Sequence, residues 1–441
     1  RWGFFPSFSA GWNVSREPFW RDLEHIVNNF KIRGSWGELG NCNTKAFYPF
    51  YQTMPTGVEN SGWLINGKKP NTASAPGIVS AEMTWETVRS WNIGFDFGLL
   101  NNRLTGSFDY FVRNTLDMIG PAPQLPATLG ATVPKVNNAD MKAWGFEVEV
   151  SWRDRIKDFN YGVKFVLSDD QRKVTRYPNE ELNRNQWYAG RMDGLVWGYE
   201  TVGIAKTDAE MEAHLASLPN GGQSQLGSKW AAGDIMYKDL NGDGKISSGD
   251  GTLNDLGDLK VVANTQLRFK YGLTVDASWK GFDFSAFFQG VGKRDVVVGG
   301  PYFWGANGQG MWQAAAFKDH IDYFRPEDTE SVFGPNVNAY YPRVIFGGGS
   351  SEGGKNTLTQ SRYVQNGAYI RLKNLQLGYT LPSTITKKFA VNSLRVYVSG
   401  DNLWTGTKMR VFDPEVLGST GDAGKAYPLA RVWSVGLNVN F

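Results

Sequence analysis

The stretch from 239 to 250 carries the residues whose types and spacing best suit metal chemistry. Asp239-Leu-Asn-Gly-Asp-Gly-Lys-Ile-Ser-Ser-Gly-Asp250 matches the calcium loop of an EF-hand at positions 1, 3, 5, 6, 8, 9 and 12. Ca²⁺ takes six to eight oxygen ligands, and carboxylate, amide, carbonyl and hydroxyl groups could supply them here. The predicted ligands are Asp239, Asn241, Asp243, the carbonyl of Lys245, Ser247 and Asp250.

Two features leave an alternative open for this Asp-rich loop. Asp250 stands where an EF-hand usually has Glu, and no flanking helix pair is evident in the sequence. A turn rich in Asn, Asp and Gly that holds no ion is therefore the other interpretation. If an ion is bound, we expect it to be structural, because loop oxygens and water would fill every coordination position.

Exposed aromatics on a long loop could stack on sugars, clamp a peptide or seat a partner protein. The glycine-rich stretch 299–312 carries four of them, and they are Tyr302, Phe303, Trp304 and Trp312. The alternative is that they pack the loop onto itself, because a long ordered loop needs some core of its own.

The sequence offers no catalytic constellation and no nucleic-acid signature. It shows no nucleophile–base pair, phosphate loop or HExxH motif, and His25, His214 and His320 share no metal-ligand spacing. A formal charge of +3 is small and no basic cluster appears. Cys42 is the only cysteine, which excludes an internal disulfide. We predict neither an enzyme nor a nucleic-acid-binding protein.

The elements that must position these loops are amphipathic strands. In the last nine residues Trp433, Val435, Leu437, Val439 and Phe441 alternate with small or polar residues. A strand of this kind suits one face in lipid and one in a wet interior, and a terminal aromatic is typical of an assembly signal. Taken alone, the segment could also be an edge strand of a soluble sandwich.

The same alternation recurs in 91–99, 104–112, 144–152 and 267–279. At about 3.3 Å per residue the last of these is long enough to cross a bilayer even when tilted. Charged residues occupy the opposite faces and would line an interior, where bonds to neighbouring strands are more common than bonds to substrate. They include Arg268, Lys270, Asp276, Arg395 and Asp401.

Turns of two kinds separate about twelve predicted strands. Asn101-Asn102 and Lys280-Gly281 are short, whereas the stretches of about 41–84, 206–264 and 292–366 are long. Short turns at one end and long extracellular loops at the other are typical of outer-membrane barrels. In Tyr369–Thr380 the apolar parity changes, which indicates either a β-bulge near Lys373 or a segment standing above the membrane.

Mean hydropathy is −0.38 and no run of 18 apolar residues occurs, so no transmembrane helix is predicted. Barrel strands expose only half of their residues to lipid, which agrees with a modest mean value. The sequence therefore predicts an all-β, transmembrane antiparallel β-barrel with long extracellular loops. Arg1 is not an initiator methionine, so we expect the chain to be processed or part of something longer.

Several segments together resemble one family, the SusC-type TonB-dependent transporters of the outer membrane. They run in family order along the whole chain, and each is weak by itself. They include Lys31-Ile-Arg-Gly-Ser-Trp-Gly-Glu-Leu-Gly-Asn41, Asn92-Ile-Gly-Phe-Asp-Phe-Gly98, Asn102-Arg-Leu-Thr-Gly-Ser-Phe-Asp-Tyr110, Trp144-Gly-Phe-Glu-Val148, Gly281-Phe-Asp-Phe284, Ala368-Tyr-Ile-Arg-Leu-Lys-Asn-Leu-Gln-Leu-Gly-Tyr-Thr-Leu-Pro382, Gly400-Asp-Asn-Leu-Trp404, Asp413-Pro-Glu415 and the stretch from Tyr427 to Phe441.

The resemblance implies a barrel of about 22 strands with an N-terminal plug, of which residues 1–441 look like the C-terminal portion of the barrel without the plug. It also implies outer-membrane lipids, a SusD-like lipoprotein lid and TonB as partners, and a homodimer of transporter–lid pairs. The implied function is energised import of bulky nutrients, either oligosaccharides or oligopeptides. A passive channel, or a calcium-dependent surface protein acting as an adhesin or enzyme, is the alternative.

Overall fold

The computed structural model describes residues 2–42, 51–58, 63–80, 83–122, 128, 133–307, 316–346, 351–418 and 427–441. Eleven strands form one antiparallel sheet in chain order. They are β1 (Ser7–Asn13), β2 (Val27–Asn41), β3 (Glu86–Leu99), β4 (Leu104–Ile119), β5 (Asn137–Ile156), β6 (Phe159–Arg176), β7 (Arg268–Trp279), β8 (Phe282–Lys293), β9 (Tyr369–Thr380), β10 (Ser393–Thr407) and β11 (Val432–Asn440).

The strand register gathers the predicted apolar residues on one face of the sheet. One cross-strand row joins Ile32, Phe95, Phe108, Val148 and Leu167 from β2 to β6. Each pair in such a row brings side chains within contact distance, so the row is continuous. Many members of this apolar face are exposed, among them Trp91, Ile93, Val163, Phe165, Trp279, Phe284, Leu377, Val398 and Val435. The predicted alternation is confirmed for these strands.

Connections at one end of the sheet are short and those at the other end are long. The short ones span 14–26, 100–103, 157–158, 280–281 and 381–392, and the long ones 42–85, 120–136, 177–267, 294–368 and 408–431. Asn101, Asn102, Lys280 and Gly281 all have positive φ, as tight hairpin turns require. The two longest connections, 177–267 and 294–368, carry further structure at that end of the sheet.

The predicted β-bulge lies at Lys373. Pairing between β8 and β9 passes from Phe287↔Asn374 to Phe288↔Leu372 and skips Lys373. Pairing between β9 and β10 shifts at the same point. The change of apolar parity is therefore an extra residue in the strand, which confirms the first of the two interpretations.

Smaller elements occupy the connections, both long and short. Three two-stranded sheets pair Leu195–Tyr199 with Leu259–Asn264, Thr201–Ile204 with Ile235–Tyr237, and Asp295–Val297 with Val364–Asn366, and a fourth pairs Thr56–Val58 with Asn71–Ala73. Short α-helices are α1 (Asp208–Ala216), α2 (Pro301–Trp304), α3 (Ser351–Gly354) and α4 (Ser383–Thr386), and 3₁₀ turns span Val14–Arg16, Pro18–Leu23, Lys318–Ile321, Ser361–Tyr363 and Lys387–Phe389. Among the residues described, no helix combines the length and the apolar character that crossing a membrane requires.

Candidate functional site

The long connections 177–267 and 294–368 fold together with 408–418 into one body, here called the loop module. Its core contains fully buried Tyr237, Ile246 and Phe303, which come from distant parts of the chain. Residues that join this core are Tyr199, Ile204, Leu218, Ile235, Val296, Val298, Trp304, Phe324, Ala339, Tyr341, Tyr363, Met409 and Leu417. The largest buried apolar cluster in the described residues therefore lies in the loops rather than in the eleven-stranded sheet, here called the wall.

A buried ionic cluster joins the two longest connections. The Asp234 carboxylate accepts from Arg343 Nε at 2.7 Å and from Asn356 Nδ2 at 2.8 Å, and lies 3.0 Å from Lys355 Nζ. Lys355 is fully buried beneath the ring of Trp230, with 4.5 Å between its Nζ and the ring centre. A buried charge is tolerated only when it is fully partnered, so this cluster fixes the two connections relative to each other.

The Asp-rich loop lies in the loop module, where Asn220 donates from its backbone N to the Gly244 carbonyl at 2.9 Å and from Nδ2 to the Asp243 carbonyl at 2.7 Å. Both Asp239 carboxylate oxygens accept backbone N–H bonds, from Gly242 at 2.6 Å and from Gly244 at 2.9 Å. Gly242 and Gly244 have φ of 76° and 77°, which only glycine adopts readily. Asp243 Oδ1 accepts from Lys245 N at 3.1 Å. The turn therefore folds around the carboxylate of its first residue, Asp239.

Asp258 closes the Asp-rich loop, and sequence reasoning missed it. Its fully buried carboxylate accepts from Leu240 N and from Ser247 N, both at 2.7 Å. Burial raises the pKa of this carboxyl more than the two N–H donors lower it. The only available signal was one more Asp just before a strand, outside the twelve-residue pattern.

The predicted calcium ligands share one turn only in part. Asp239, Asn241, Asp243, Lys245 and Ser247 lie in the same turn, and Asn241 bonds to Asp243. The carboxylate of Asp250 instead accepts from Thr252 N at 2.7 Å. Within the described ranges no three His, Cys, Asp or Glu side chains converge as a metal site would require. Calcium binding at this loop remains a prediction.

The predicted aromatic loop divides between core and surface. Phe303 is completely buried and Trp304 nearly so, and both pack edge-on against Tyr363. Tyr302 is exposed and stacks on Phe317. Trp312 lies outside the described residues. Packing of the loop onto itself accounts for Phe303 and Trp304, whereas a contact role for Tyr302 stays a prediction.

At three glycines on the polar face of the sheet, charged side chains reach across the intervening strand. Arg33 on β2 bonds to Asp96 on β3 at 2.9 Å and to Asp109 on β4 at 2.7 Å. Between them lies Gly94, where a Cβ would come within 2.6 Å of Asp109 Oδ1. The arrangement recurs at Gly162 between Arg153 and Asp276 and at Gly378 between Asp283 and Arg395.

The bulge at Lys373 has a partner on the polar face. Arg371 and Lys373 both bond to Glu415, each at 2.8 Å, and Arg371 also bonds to Asp413 at 2.6 Å. In a regular strand Arg371 and Asn374, which are three residues apart, would face opposite sides, and the bulge places both on the polar face. The bulge thus ties 408–418 of the loop module to the wall.

The terminal strand forms one edge of the sheet in the described chain. Trp433, Val435, Leu437, Val439 and Phe441 are all exposed, at 44% or more. They continue the apolar face, because Val396 pairs with Leu437 and Val398 with Val435. Their function as an assembly signal remains a prediction.

Similarity to known proteins agrees with this architecture. Residues 1–403 match the family described as TonB dependent receptor-like, beta-barrel. TonB-dependent receptor P3 of Formosa agariphila is 27% identical over 465 aligned residues, which cover 100% of this chain and 42% of the relative. TonB-dependent receptor SusC of Bacteroides thetaiotaomicron is 24% identical, with coverage of 100% and 40%.

A solved structure, that of the RagAB peptide transporter, superposes with a TM-score of 0.72 at 21% identity and covers 99% of this chain and 43% of that chain. At this identity the likeness concerns the fold. The chain spans about two fifths of the length of the curated relatives it matches. Its eleven-stranded sheet and the match over residues 1–403 show that it belongs to the TonB-dependent receptor-like β-barrel family.

Proposed function

We propose that this chain forms part of the wall and the extracellular loop module of an outer-membrane importer energised through TonB. The observation that carries the proposal is the sheet itself, with an exposed apolar face on most of its strands and a folded module at one end only. Exposed apolar surface of this extent needs lipid. The proposed cargo is a bulky nutrient, either an oligosaccharide or an oligopeptide.

The proposed partners follow from relatives and from the sheet. TonB would supply energy, and a SusD-like surface lipoprotein would cover the loop module, with a homodimer of such pairs as the larger assembly. In the described chain β1 and β11 each pair on one side only. Because unpaired strand edges are very costly in lipid, we infer that further strands of a larger barrel cover them.

Uptake in cells tests the proposal against a passive channel. Cells carrying the full-length protein should lose uptake of labelled oligomers when TonB is deleted, whereas a passive channel would keep it. A library of oligosaccharides and oligopeptides as sole nutrient would identify the cargo. TonB-independent uptake, or unchanged growth after deletion of the full-length protein on every nutrient, would refute active import.

A further inference from the structure

A pocket of about 450 Å³ opens in the loop module, within the size range of small-ligand sites. Its walls are mainly apolar, with Trp304, Phe317, Ile321, Phe333, Tyr341 and Val344 among them. His320 also lines the pocket, but both of its ring nitrogens already bond, to Phe317 N and to Phe303 O. Lys318 is the one lining residue, among those described, that carries a full charge, and it is exposed.

Two polar groups in the pocket wall are buried without a partner among the described residues. They are the hydroxyl of Tyr341, a residue 5% exposed, and Nδ2 of Asn307, a residue 2% exposed. Asn307 Oδ1 accepts from Ile345 N at 3.3 Å, which leaves its amide nitrogen as the unused end. Burial raises the pKa of the Tyr341 hydroxyl, so this group keeps its proton and can donate.

Buried donors without acceptors are rare in folded proteins and require an explanation. A ligand that brings hydrogen-bond acceptors into the pocket would explain these two donors. We propose that this pocket binds an oligopeptide by one apolar side chain, with backbone carbonyls accepting from Tyr341 Oη and Asn307 Nδ2. The inference rests on the proposed import function and names its substrate class.

The chemistry of the wall favours a peptide over a sugar. A sugar ring could stack its apolar face on an aromatic ring of the wall. Its several hydroxyls, however, would have few unused side-chain partners among the described lining residues, mainly Tyr341, Asn307 and Lys318, and each hydroxyl left without a partner costs affinity. A peptide residue instead presents one apolar side chain, which gains from burial, and one strong carbonyl acceptor. Each of the two unused donors can therefore take one backbone carbonyl of a bound peptide.

Binding to the purified full-length protein in detergent tests this inference. The probes are acetylated and amidated tetraalanine, the same peptide with one alanine replaced by phenylalanine, and maltotriose, each followed by calorimetry. We expect the phenylalanine peptide to bind at least about tenfold more tightly than tetraalanine, because burial of an aromatic side chain contributes that much. Maltotriose should neither bind at this pocket nor compete for it.

Three variants separate binding from folding. Tyr341→Phe should weaken the phenylalanine peptide about fivefold, yet leave thermal stability equal or higher, because the lost hydroxyl has no partner in the described chain. Val344→Trp should fill the pocket and abolish the preference for phenylalanine, and Val344 is exposed enough to tolerate the change. Tyr363→Phe is the control, because it removes a 3.0 Å bond to Tyr340 O outside this pocket and should leave affinity unchanged.

Equal affinity for the two peptides, unchanged binding by Tyr341→Phe, or competition by maltotriose would overturn the assignment. These outcomes are separate from failure of the import function, which TonB-dependent uptake measures on its own. If uptake depends on TonB while the pocket variants bind the peptide normally, the proposed import function stands and the assignment of this pocket is refuted.

Discussion

Gly94, on the polar face of the wall, lets Arg33 and Asp109 meet across the strand between them. Gly94→Ala should destabilise the full-length protein by about 1–3 kcal/mol, because the new methyl group would crowd Asp109 and the Phe108 carbonyl. Gly34→Ala is the matched control, since its Cβ would meet nothing closer than 3.9 Å. Guanidinium unfolding in detergent would compare them, and equal midpoints would contradict the role of Gly94.

Calcium would order the Asp-rich loop if the predicted ligands gather around it. In calcium buffer, Asp243→Ala should increase protease cleavage between 233 and 258, and a chelator should do the same to the natural protein. Carboxylates brought close together repel one another unless a cation neutralises them. Glu212→Ala on the exposed side of α1 is the control. A cleavage rate that the chelator leaves unchanged would exclude a bound calcium ion.

Acidity should stabilise the Asp-rich loop through Asp258. Because burial raises the pKa of this carboxyl in the folded state, the folded loop binds the proton more tightly than the unfolded chain does. The resulting stabilisation is complete below the ordinary Asp pKa of about 3.9 and is lost as pH rises through the raised pKa of the folded state. Without divalent cations, protease resistance should therefore fall as pH rises above about 4. Asp258→Asn should flatten this profile, and an unchanged profile would contradict the assignment.

At the scale of the strand, the bulge at Lys373 sets which face each side chain of β9 takes. Deletion of Lys373 leaves Leu372 and Asn374 on their present faces, but it removes the local bend and twist that direct Arg371 towards Asp413 and Glu415. We expect the Arg371 charge to lose these partners at a cost of about 3–5 kcal/mol. The yield of heat-modifiable folded protein measures this loss. Lys373→Gln keeps the extra residue and should assemble nearly normally. Equal yields for the two variants would show that the bulge is dispensable.

The terminal strand makes a different prediction, because it concerns assembly rather than stability. Phe441→Asp should lower the amount of protein at the cell surface, while protein that does assemble keeps its stability. Asn440→Asp adds the same charge one position earlier, where the polar parity lies, and serves as the control. Surface labelling of intact cells compares the two. Normal surface levels for Phe441→Asp would remove the assembly role of this residue.

Across the whole molecule, the sequence predicts the wall better than the loop module. Alternation at residues such as Trp91 and Ile93 has a period of two, which is the period of side chains along a strand, so the pattern is visible locally. The change of parity at Lys373 is visible for the same reason. Each of these signals needs only a few neighbouring residues.

The loop module depends on contacts that no local pattern encodes. Phe303 meets Tyr341 and Tyr363, and Asp234 meets Lys355, across long stretches of chain. The burial of Phe303 beside the exposed Tyr302 therefore could not be read from the sequence. The loop closure by Asp258 was missed for the same reason, because its partners Leu240 and Ser247 are joined to it only by the fold.

The position of the apolar core has an evolutionary consequence. The loop module holds its own buried core, whereas the wall exposes many of its apolar residues on one face of the sheet. Mutations that reshape the module then change neither the alternation nor the register of the strands. Selection can therefore alter the surface of the module while the same wall is inherited unchanged. The boundaries between the exchanged and the inherited parts would be the strand ends at Arg176, Arg268, Lys293 and Tyr369.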